Sequence, residues 1–156
     1  ILADKKKEIF DEDLRVLMGD QSNIDNSFYK LDYLNVNLGT AAIPTATVRI
    51  KIEKKTFEES ATGDGPVDAC FKAINRAIKF QKKIKLEHYQ VRSFTAGKAA
   101  QGEVSIRLKI DKKAFNGKGI STDTIKASAQ AYIQALNHFS LNHSEQKTFL
   151  ENLVGV

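Results

Sequence analysis

The stretch RIKIEKKTF at residues 49–57 decides the fold, because it recurs as RLKIDKKAF at residues 107–115. A shift of 58 residues superimposes the two stretches, and nine of the 30 positions from 49 to 78 are then identical without a gap. The same shift superimposes three pairs of alanines: Ala69, Ala73 and Ala77 on Ala127, Ala131 and Ala135. Upstream the shift becomes 55, so the second copy has a first loop that is three residues longer. The chain therefore contains two copies of one unit, which we place at 29–80 and 86–140.

The first copy has the pattern of three strands followed by a helix. Alternating apolar and polar residues predict strands at 29–38 and 46–53, and a third short strand is expected at 55–60. The glycine-rich turn at 63–65 ends this pattern, and Pro66 fits the first position of a helix, where its missing N–H costs nothing. The helix has one apolar stripe at helical spacing, formed by Val67, Cys70, Phe71, Ile74, Ala77 and Ile78.

The second copy repeats this order. The expected strands are 86–94, 103–110 and 113–117. Ser121 or Thr122 is expected to cap the helix that follows, and Asp123 in its first turn suits the positive end of the helix dipole. The buried stripe of this helix is predicted to contain Ile125, Ala129, Tyr132, Leu136 and Phe139. The sequence thus predicts an α+β fold of two βββα units, in which each sheet is covered by a helix and the units are related by a pseudo-twofold axis.

The ends of the chain differ from the repeated part. Residues 1–27 combine charged and apolar side chains, and we predict a helical linker subdomain there. Residues 28–140 are predicted to form the folded domain. Residues 141–156 form a C-terminal tail whose apolar residues have helical spacing, which would suit docking on another subunit.

Composition excludes several classes of protein. The 156 residues are 42% hydrophobic, which is a globular composition. No apolar run reaches the roughly 18 residues that a membrane-spanning helix needs, and a net charge of +5 is too weak to predict nucleic-acid binding. We therefore expect neither a membrane nor a nucleic acid as a partner. The single cysteine, Cys70, cannot form an internal disulfide, which favours a reducing, cytoplasmic compartment.

The strand-to-helix turns are the most promising place for a ligand. No nucleophile–base pair or carboxylate dyad indicates catalysis, and the three histidines are too scattered to predict a metal site. The turn at 63–66 leaves backbone N–H groups at a helix start, which attracts anions, and the turn at 119–124 begins the second helix. If the pseudo-twofold axis brings the two helix starts together, a small zwitterion could lie between them. Its carboxylate would meet N–H groups, its ammonium would meet Asp or carbonyl oxygens, and its side chain an apolar wall.

Three segments carry a resemblance to a known family. GDGPVDA at 63–69, AQGEV at 100–104 and GISTDTI at 119–125 resemble the C-terminal allosteric domain of 2-isopropylmalate synthase, which citramalate synthase shares. The stretches ADKKKE at 3–8 and DEDL at 11–14 are similar to the linker that joins this domain to the catalytic barrel. The resemblance implies a regulatory domain of paired βββα units that forms a homodimer and binds the end-product amino acid as a feedback inhibitor.

The resemblance also implies what this chain lacks. The full enzyme condenses acetyl-CoA with 2-oxoisovalerate, the first committed step of leucine synthesis, in a barrel that depends on a divalent metal. That barrel is absent from this sequence, so we expect no catalytic residue and no cofactor here, and the chain alone should be inert. Leucine is the favoured effector. The alternatives are isoleucine, as in a citramalate synthase, or a dimerisation domain that binds no effector.

The matching positions supply a predicted effector site. Gly63, Asp64 and Gly65 form the turn, and Asp68 in the helix that follows could meet the ammonium group. Leu86, Tyr89 and Ser93 match the strand that lines the side-chain pocket. Ordinary core packing is the alternative for these three residues. A slip of one residue in the strand register would turn each side chain to the other face of the sheet. The full predicted set is Gly63, Asp64, Gly65, Val67, Asp68, Leu86, Tyr89, Ser93, Thr122 and Thr124.

Overall fold

A computed structural model describes residues 27–38, 43–96 and 99–153 of the chain. The predicted linker at 1–27 lies outside these residues, apart from Ser27. The elements follow in the order β1 Tyr29–Asn37, β2 Thr45–Ile52, β3 Lys55–Thr62, α1 Pro66–Ile78, β4 Lys85–Ala96, β5 Ala99–Ile110, β6 Lys113–Ser121 and α2 Thr124–Leu153. This order confirms the predicted α+β fold of two βββα units.

Each unit folds into an antiparallel meander of three strands, with its second strand in the middle. The repeated stretch sets the same register in both sheets, since Ile50 lies opposite Phe57 and Leu108 lies opposite Phe115. Alternation along the central strands gives each sheet one buried face. That face is formed by Ala46, Val48 and Ile50 in β2 and by Val104, Ile106, Leu108 and Ile110 in β5.

Strand β6 runs to Ser121, four residues beyond the predicted end at 117, and the reason is its packing against α2. Gly117 and Gly119 lie on the buried face of β6. A Cβ atom on either glycine would collide with a backbone carbonyl oxygen of α2, that of Ala131 or that of Ala127. The two glycines therefore continue the strand and allow the helix to approach it closely.

The predicted cap of α2 by Ser121 or Thr122 is wrong. The carboxylate of Asp123 accepts a hydrogen bond from the N–H of Ile125 at 2.9 Å, and its carbonyl oxygen accepts one from the N–H of Ala127 at 2.9 Å. Asp123 is therefore the residue that caps the helix. The Ser121 hydroxyl instead accepts a hydrogen bond from the N–H of Asp123 at 3.1 Å. The cap lies later than predicted because β6 continues through Ser121.

The two helices pack side by side and run in the same direction. The rings of Phe71 and Tyr132 stack with their centroids 4.1 Å apart, and the Tyr132 hydroxyl donates to the Asn75 side chain at 2.8 Å. Further along, Phe80 after α1 meets Phe139 of α2 edge to face, with centroids 5.5 Å apart. Because later residues of one helix meet later residues of the other, both helices begin at the same end of the domain.

The first strand of the first unit reaches across to the helix of the second. Asn137 of α2 binds the backbone of Tyr29 in β1, accepting from its N–H at 2.7 Å and donating to its carbonyl oxygen at 3.0 Å. The inner face of β1 packs on the common core through Leu31, Leu34 and Val36. Residues 141–153, predicted as a tail, continue α2 without a break.

Candidate effector-binding site

The glycine turn before α1 contains two glycines with different surroundings. Gly63 donates its N–H to the carbonyl oxygen of Pro44 at 3.1 Å, and a Cβ atom on it would collide with the backbone of Ala69. Gly65 caps α1 in an extended conformation, with φ −151° and ψ 176°, and a Cβ atom there would meet no heavy atom within 4 Å. Gly63 therefore lets the turn pack on the helix, whereas Gly65 leaves open space at the helix start.

The carboxylate of Asp68 stabilises this turn. Its Oδ2 accepts a hydrogen bond from the N–H of Asp64 at 3.0 Å and lies 3.1 Å from the amine of Lys72. The Asp64 N–H, followed by Lys72, holds the pKa of Asp68 below its usual value. Asp68 is thus an ionised, half-exposed carboxylate at the start of α1, where negative charge also suits the helix dipole. A ligand ammonium would share it with Lys72.

The predicted wall of β4 lies on the helix side of its sheet. A bulge between Leu86 and His88 changes the alternation of the strand. As a result, Leu86 lies opposite Leu108, Tyr89 opposite Ile106 and Ser93 opposite Gly102. Residues directly opposite in adjacent strands share a face, so all three predicted residues share the face of the buried β5 residues. All three are nevertheless exposed.

Tyr89 connects this wall to the start of α2. Its hydroxyl lies 2.6 Å from the hydroxyl of Ser128, which in turn donates to the carbonyl oxygen of Thr124 at 2.9 Å. Because that donation uses the Ser128 hydrogen, Tyr89 is the donor to Ser128. Ser128 lies one turn before Tyr132, and Val67 lies one turn before Phe71, the residue that Tyr132 contacts. The parallel helices therefore bring Tyr89, Thr124 and Val67 to the same end of the domain.

The residue that caps α2 also influences a buried side chain of α1. Burial raises the pKa of the Cys70 thiol to about 12, and the negative charge of Asp123 contributes to this rise. Cys70 lies in the first two turns of α1 and Asp123 caps α2, which agrees with both helices beginning at the same end of the domain. Thr122 lies immediately before this cap and is exposed.

One groove in the described structure involves the first strand of one unit and the helix start of the other unit. It has a volume of about 540 Å³ and lies between β1 and the start of α2. Six of the residues that line it are Leu31, Leu34, Leu38, Asp123, Ile125 and Lys126. The repeat shifts of 55 and 58 map these onto Leu86, Tyr89, Ser93, Gly65, Val67 and Asp68. Six of the predicted site residues are therefore the equivalents, in the other repeat positions, of residues that line this groove.

Two residues at the site were not predicted for it. Ser128 is fully buried and holds Tyr89, and Asp123 places its carboxylate at the start of α2, where its charge influences Cys70 of α1. The sequence carried a signal for Ser128. Its hydroxyl stands among alanines on a buried helix face, and a buried hydroxyl needs a hydrogen-bond partner. Asp123 was assigned only to the helix dipole, since the sequence did not reveal that Cys70 lies nearby.

Two absences concern only the part of the chain that the structure describes. No group of three or more His, Cys, Asp or Glu side chains lies close enough there to hold a metal ion. Among the described helices, neither combines the length and the apolar character needed to cross a bilayer.

Comparisons with known proteins point to one family. The family model of the LeuA allosteric (dimerisation) domain matches residues 8–140. The chain is 46% identical over 136 residues to the 2-isopropylmalate synthase of Heliobacterium modesticaldum, covering 87% of the chain and 26% of that protein. It is 44% identical over 137 residues to that of Carboxydothermus hydrogenoformans, again 87% of the chain and 26% of the relative. The chain thus spans about a quarter of the length of these relatives. With most of its length matched, the chain belongs to the LeuA allosteric (dimerisation) domain family.

Proposed function

We propose that this chain is the regulatory domain of a 2-isopropylmalate synthase, and that it binds leucine as a feedback inhibitor and forms a homodimer. Its family and the names of its relatives support this proposal. The condensation of acetyl-CoA with 2-oxoisovalerate would take place in a catalytic barrel outside this chain, which would also hold the divalent metal. The chain itself would regulate the enzyme without catalysing the reaction, and it would do so in the cytoplasm.

The proposed leucine site lies between β4 and the start of α1. The observation that carries it is the exposed apolar wall of β4, which Tyr89 fixes to the helix layer at the end where both helices begin. The first N–H groups of a helix have no acceptor within it, so the start of α1 suits the ligand carboxylate. The carboxylates of Asp68 and Asp123 lie at the two helix starts and suit its ammonium group. Leu86 and Tyr89 would contact the branched side chain.

Inhibition would follow from a change in the distance between two elements. Leucine can shift a conformational equilibrium only by binding one arrangement more tightly than another. A ligand held by β4 on one side and by α1 on the other favours the arrangement in which these elements lie a leucine's width apart. Because β4 is joined to α2 through Tyr89 and Ser128, that preference extends from β4 to the helix of the second unit. The segment at 1–27 would carry it to the catalytic barrel.

Thermal unfolding with added amino acids tests the proposal. At a free concentration 100 times its dissociation constant, leucine should stabilise the chain by about 2.7 kcal/mol. Isoleucine and valine should stabilise it less. A Gly65→Val variant fills the open space at the start of α1 without backbone strain, so it should fold and lose the shift. Thr62→Val, on an exposed position of β3, is the control that should keep it.

Each other outcome of this experiment points to a named alternative. A larger shift with isoleucine would favour the regulatory domain of a citramalate synthase. If none of the three amino acids raises the unfolding temperature while the chain still forms dimers, the effector proposal fails, and a dimerisation domain without an effector takes its place.

A further inference from the structure

We infer that two copies of this chain dimerise through β4, using its open edge and the apolar inner face that the described residues leave uncovered. This inference rests on the proposed dimer and adds the surface that forms it. The two three-stranded sheets have four edge strands, β1, β3, β4 and β6. An edge strand presents unpaired backbone groups, which proteins either cover or use for pairing with another chain.

Helix side chains bind backbone groups on two of these edge strands, β1 and β3. On β1, Asn137 binds both the N–H and the carbonyl oxygen of Tyr29, so that it takes the place of a neighbouring strand. On β3, the guanidinium of Arg76 donates to the carbonyl oxygen of Ser60 at 2.9 Å. At these positions, a second chain would have to displace a hydrogen bond in order to pair.

Strand β6 is covered in the same way. The side-chain oxygen of Gln134 accepts from the N–H of Lys118 at 2.8 Å, and the ring of His138 donates to the carbonyl oxygen of Asn116 at 2.7 Å. Within the described residues, by contrast, no side chain of either helix forms a hydrogen bond with the backbone of β4. Of the four edges in the described part of the chain, that of β4 is thus the one without such a cover.

Within residues 27–38, 43–96 and 99–153, the inner face of β4 is open as well. In the first unit, the corresponding face of β1 packs on α2 through Leu31, Leu34 and Val36. The repeat shift of 55 maps these residues onto Leu86, Tyr89 and Val91, which are 44%, 37% and 44% exposed. Exposed apolar side chains that follow one another along a strand indicate a contact surface.

A second copy is the occupant that fits this surface. The family is described as a dimerisation domain, so its members need a surface that pairs with itself. A twofold dimer uses the same patch on both subunits, and an open strand edge meets that requirement by pairing antiparallel with its own copy. The open edge is then paired, and the apolar side chains of the two copies lie side by side on one continuous sheet face.

Sedimentation of matched variants tests the inference. Val91→Lys puts a charge on the inner face of β4, at a position outside the predicted leucine site. Ile120→Lys puts the same charge on β6 of the same sheet, where Ile120 is 47% exposed and lies opposite Glu103 on the outer face. We expect the wild type and Ile120→Lys to be dimers at micromolar concentration, and Val91→Lys to dissociate at least ten times more readily. Backbone amides of β4 should exchange with solvent more slowly in the wild-type dimer than in the diluted monomer.

The other outcomes overturn the inference in distinguishable ways. If Val91→Lys dimerises like the wild type, or if Ile120→Lys alone dissociates, β4 is not the interface although the dimer proposal stands. If removal of residues 141–156 abolishes the dimer and Val91→Lys does not, the C-terminal segment forms it. A wild type that is monomeric at 100 times the concentration tested overturns the dimer and its interface together, whereas the leucine shift can still be measured. If both lysine variants dissociate, the rate of amide exchange in β4 of the wild type decides whether β4 is the interface. A rate that does not depend on protein concentration also overturns the inference.

Discussion

Gly63 and Gly65 lie in one turn, yet their substitution should have opposite consequences. A methyl group on Gly63 would collide with the backbone of Ala69 and approach the Asp68 carboxylate, while one on Gly65 would enter open space. We therefore expect Gly63→Ala to lower the free energy of unfolding by about 1–3 kcal/mol, as overpacking does. Gly65→Ala should leave it unchanged or raise it slightly, since alanine restricts the unfolded chain. Urea denaturation of both variants measures the difference, and equal losses would contradict the turn described here.

Cys70 should make the protein less stable at alkaline pH. Its pKa in the folded state is raised to about 12 by burial and by Asp123, whereas an unfolded thiol ionises near pH 8.5. A raised folded pKa means that this stabilisation is complete below the unfolded pKa and is lost as the pH rises towards 12. Between pH 7 and pH 10, the free energy of unfolding should therefore fall by about 1–2 kcal/mol more in the wild type than in Cys70→Ala. Equal falls in the two proteins would argue against a buried, neutral thiol.

At the scale of elements, the hairpin between β5 and β6 contains a strained turn. Asp111 and Lys112 both have positive φ angles, 55° and 68°, which is the pattern of a type I′ turn. Glycine adopts such angles without the cost that a Cβ atom adds, so Lys112→Gly should raise the free energy of unfolding by about 1 kcal/mol. Asp111 keeps its 2.9 Å ion pair with Lys82 in this variant. The control, Lys113→Gly, lies in β6 and should lower stability by about 0.5–1 kcal/mol in the same urea titration.

Local signals predicted some element boundaries and not others. Pro66 marked the start of α1 because proline fits the first helical position whatever the rest of the fold does. The end of β6 was missed because Gly117 and Gly119 look like a turn in sequence, whereas the approach of α2 is what requires them. The error in β6 then displaced the predicted cap of α2 from Asp123 to earlier residues. The boundaries that depend on contact between elements are therefore those that the sequence could not supply.

At the scale of the whole molecule, the candidate site depends on packing that no local pattern encodes. The glycine turn could be predicted as a unit because its residues are consecutive. The face of Leu86 relative to Tyr89 could not, because it depends on the bulge before His88. The position of α1 relative to β4 likewise depends on the parallel packing that Phe71 and Tyr132 establish. The ten predicted site residues remain a prediction that the leucine experiment can test.

The two units should behave as one cooperative structure, and Asn137 offers a direct test. This residue belongs to the second unit but holds both backbone groups of Tyr29 in the first. Asn137→Ala removes both hydrogen bonds, and we expect a loss of about 1–3 kcal/mol in the free energy of unfolding. Amide exchange should become faster in β1, although the substituted residue lies 108 positions away along the chain.

Gln134→Ala is the matched control, because Gln134 lies one turn earlier on α2 and binds Lys118 within its own unit. It should accelerate exchange in β6 and leave β1 protected. In both variants, fluorescence and circular dichroism should report a single unfolding transition, since the core formed by both helices is continuous across the units. If Asn137→Ala accelerates exchange in β6 but not in β1, then β1 is held by its own sheet alone.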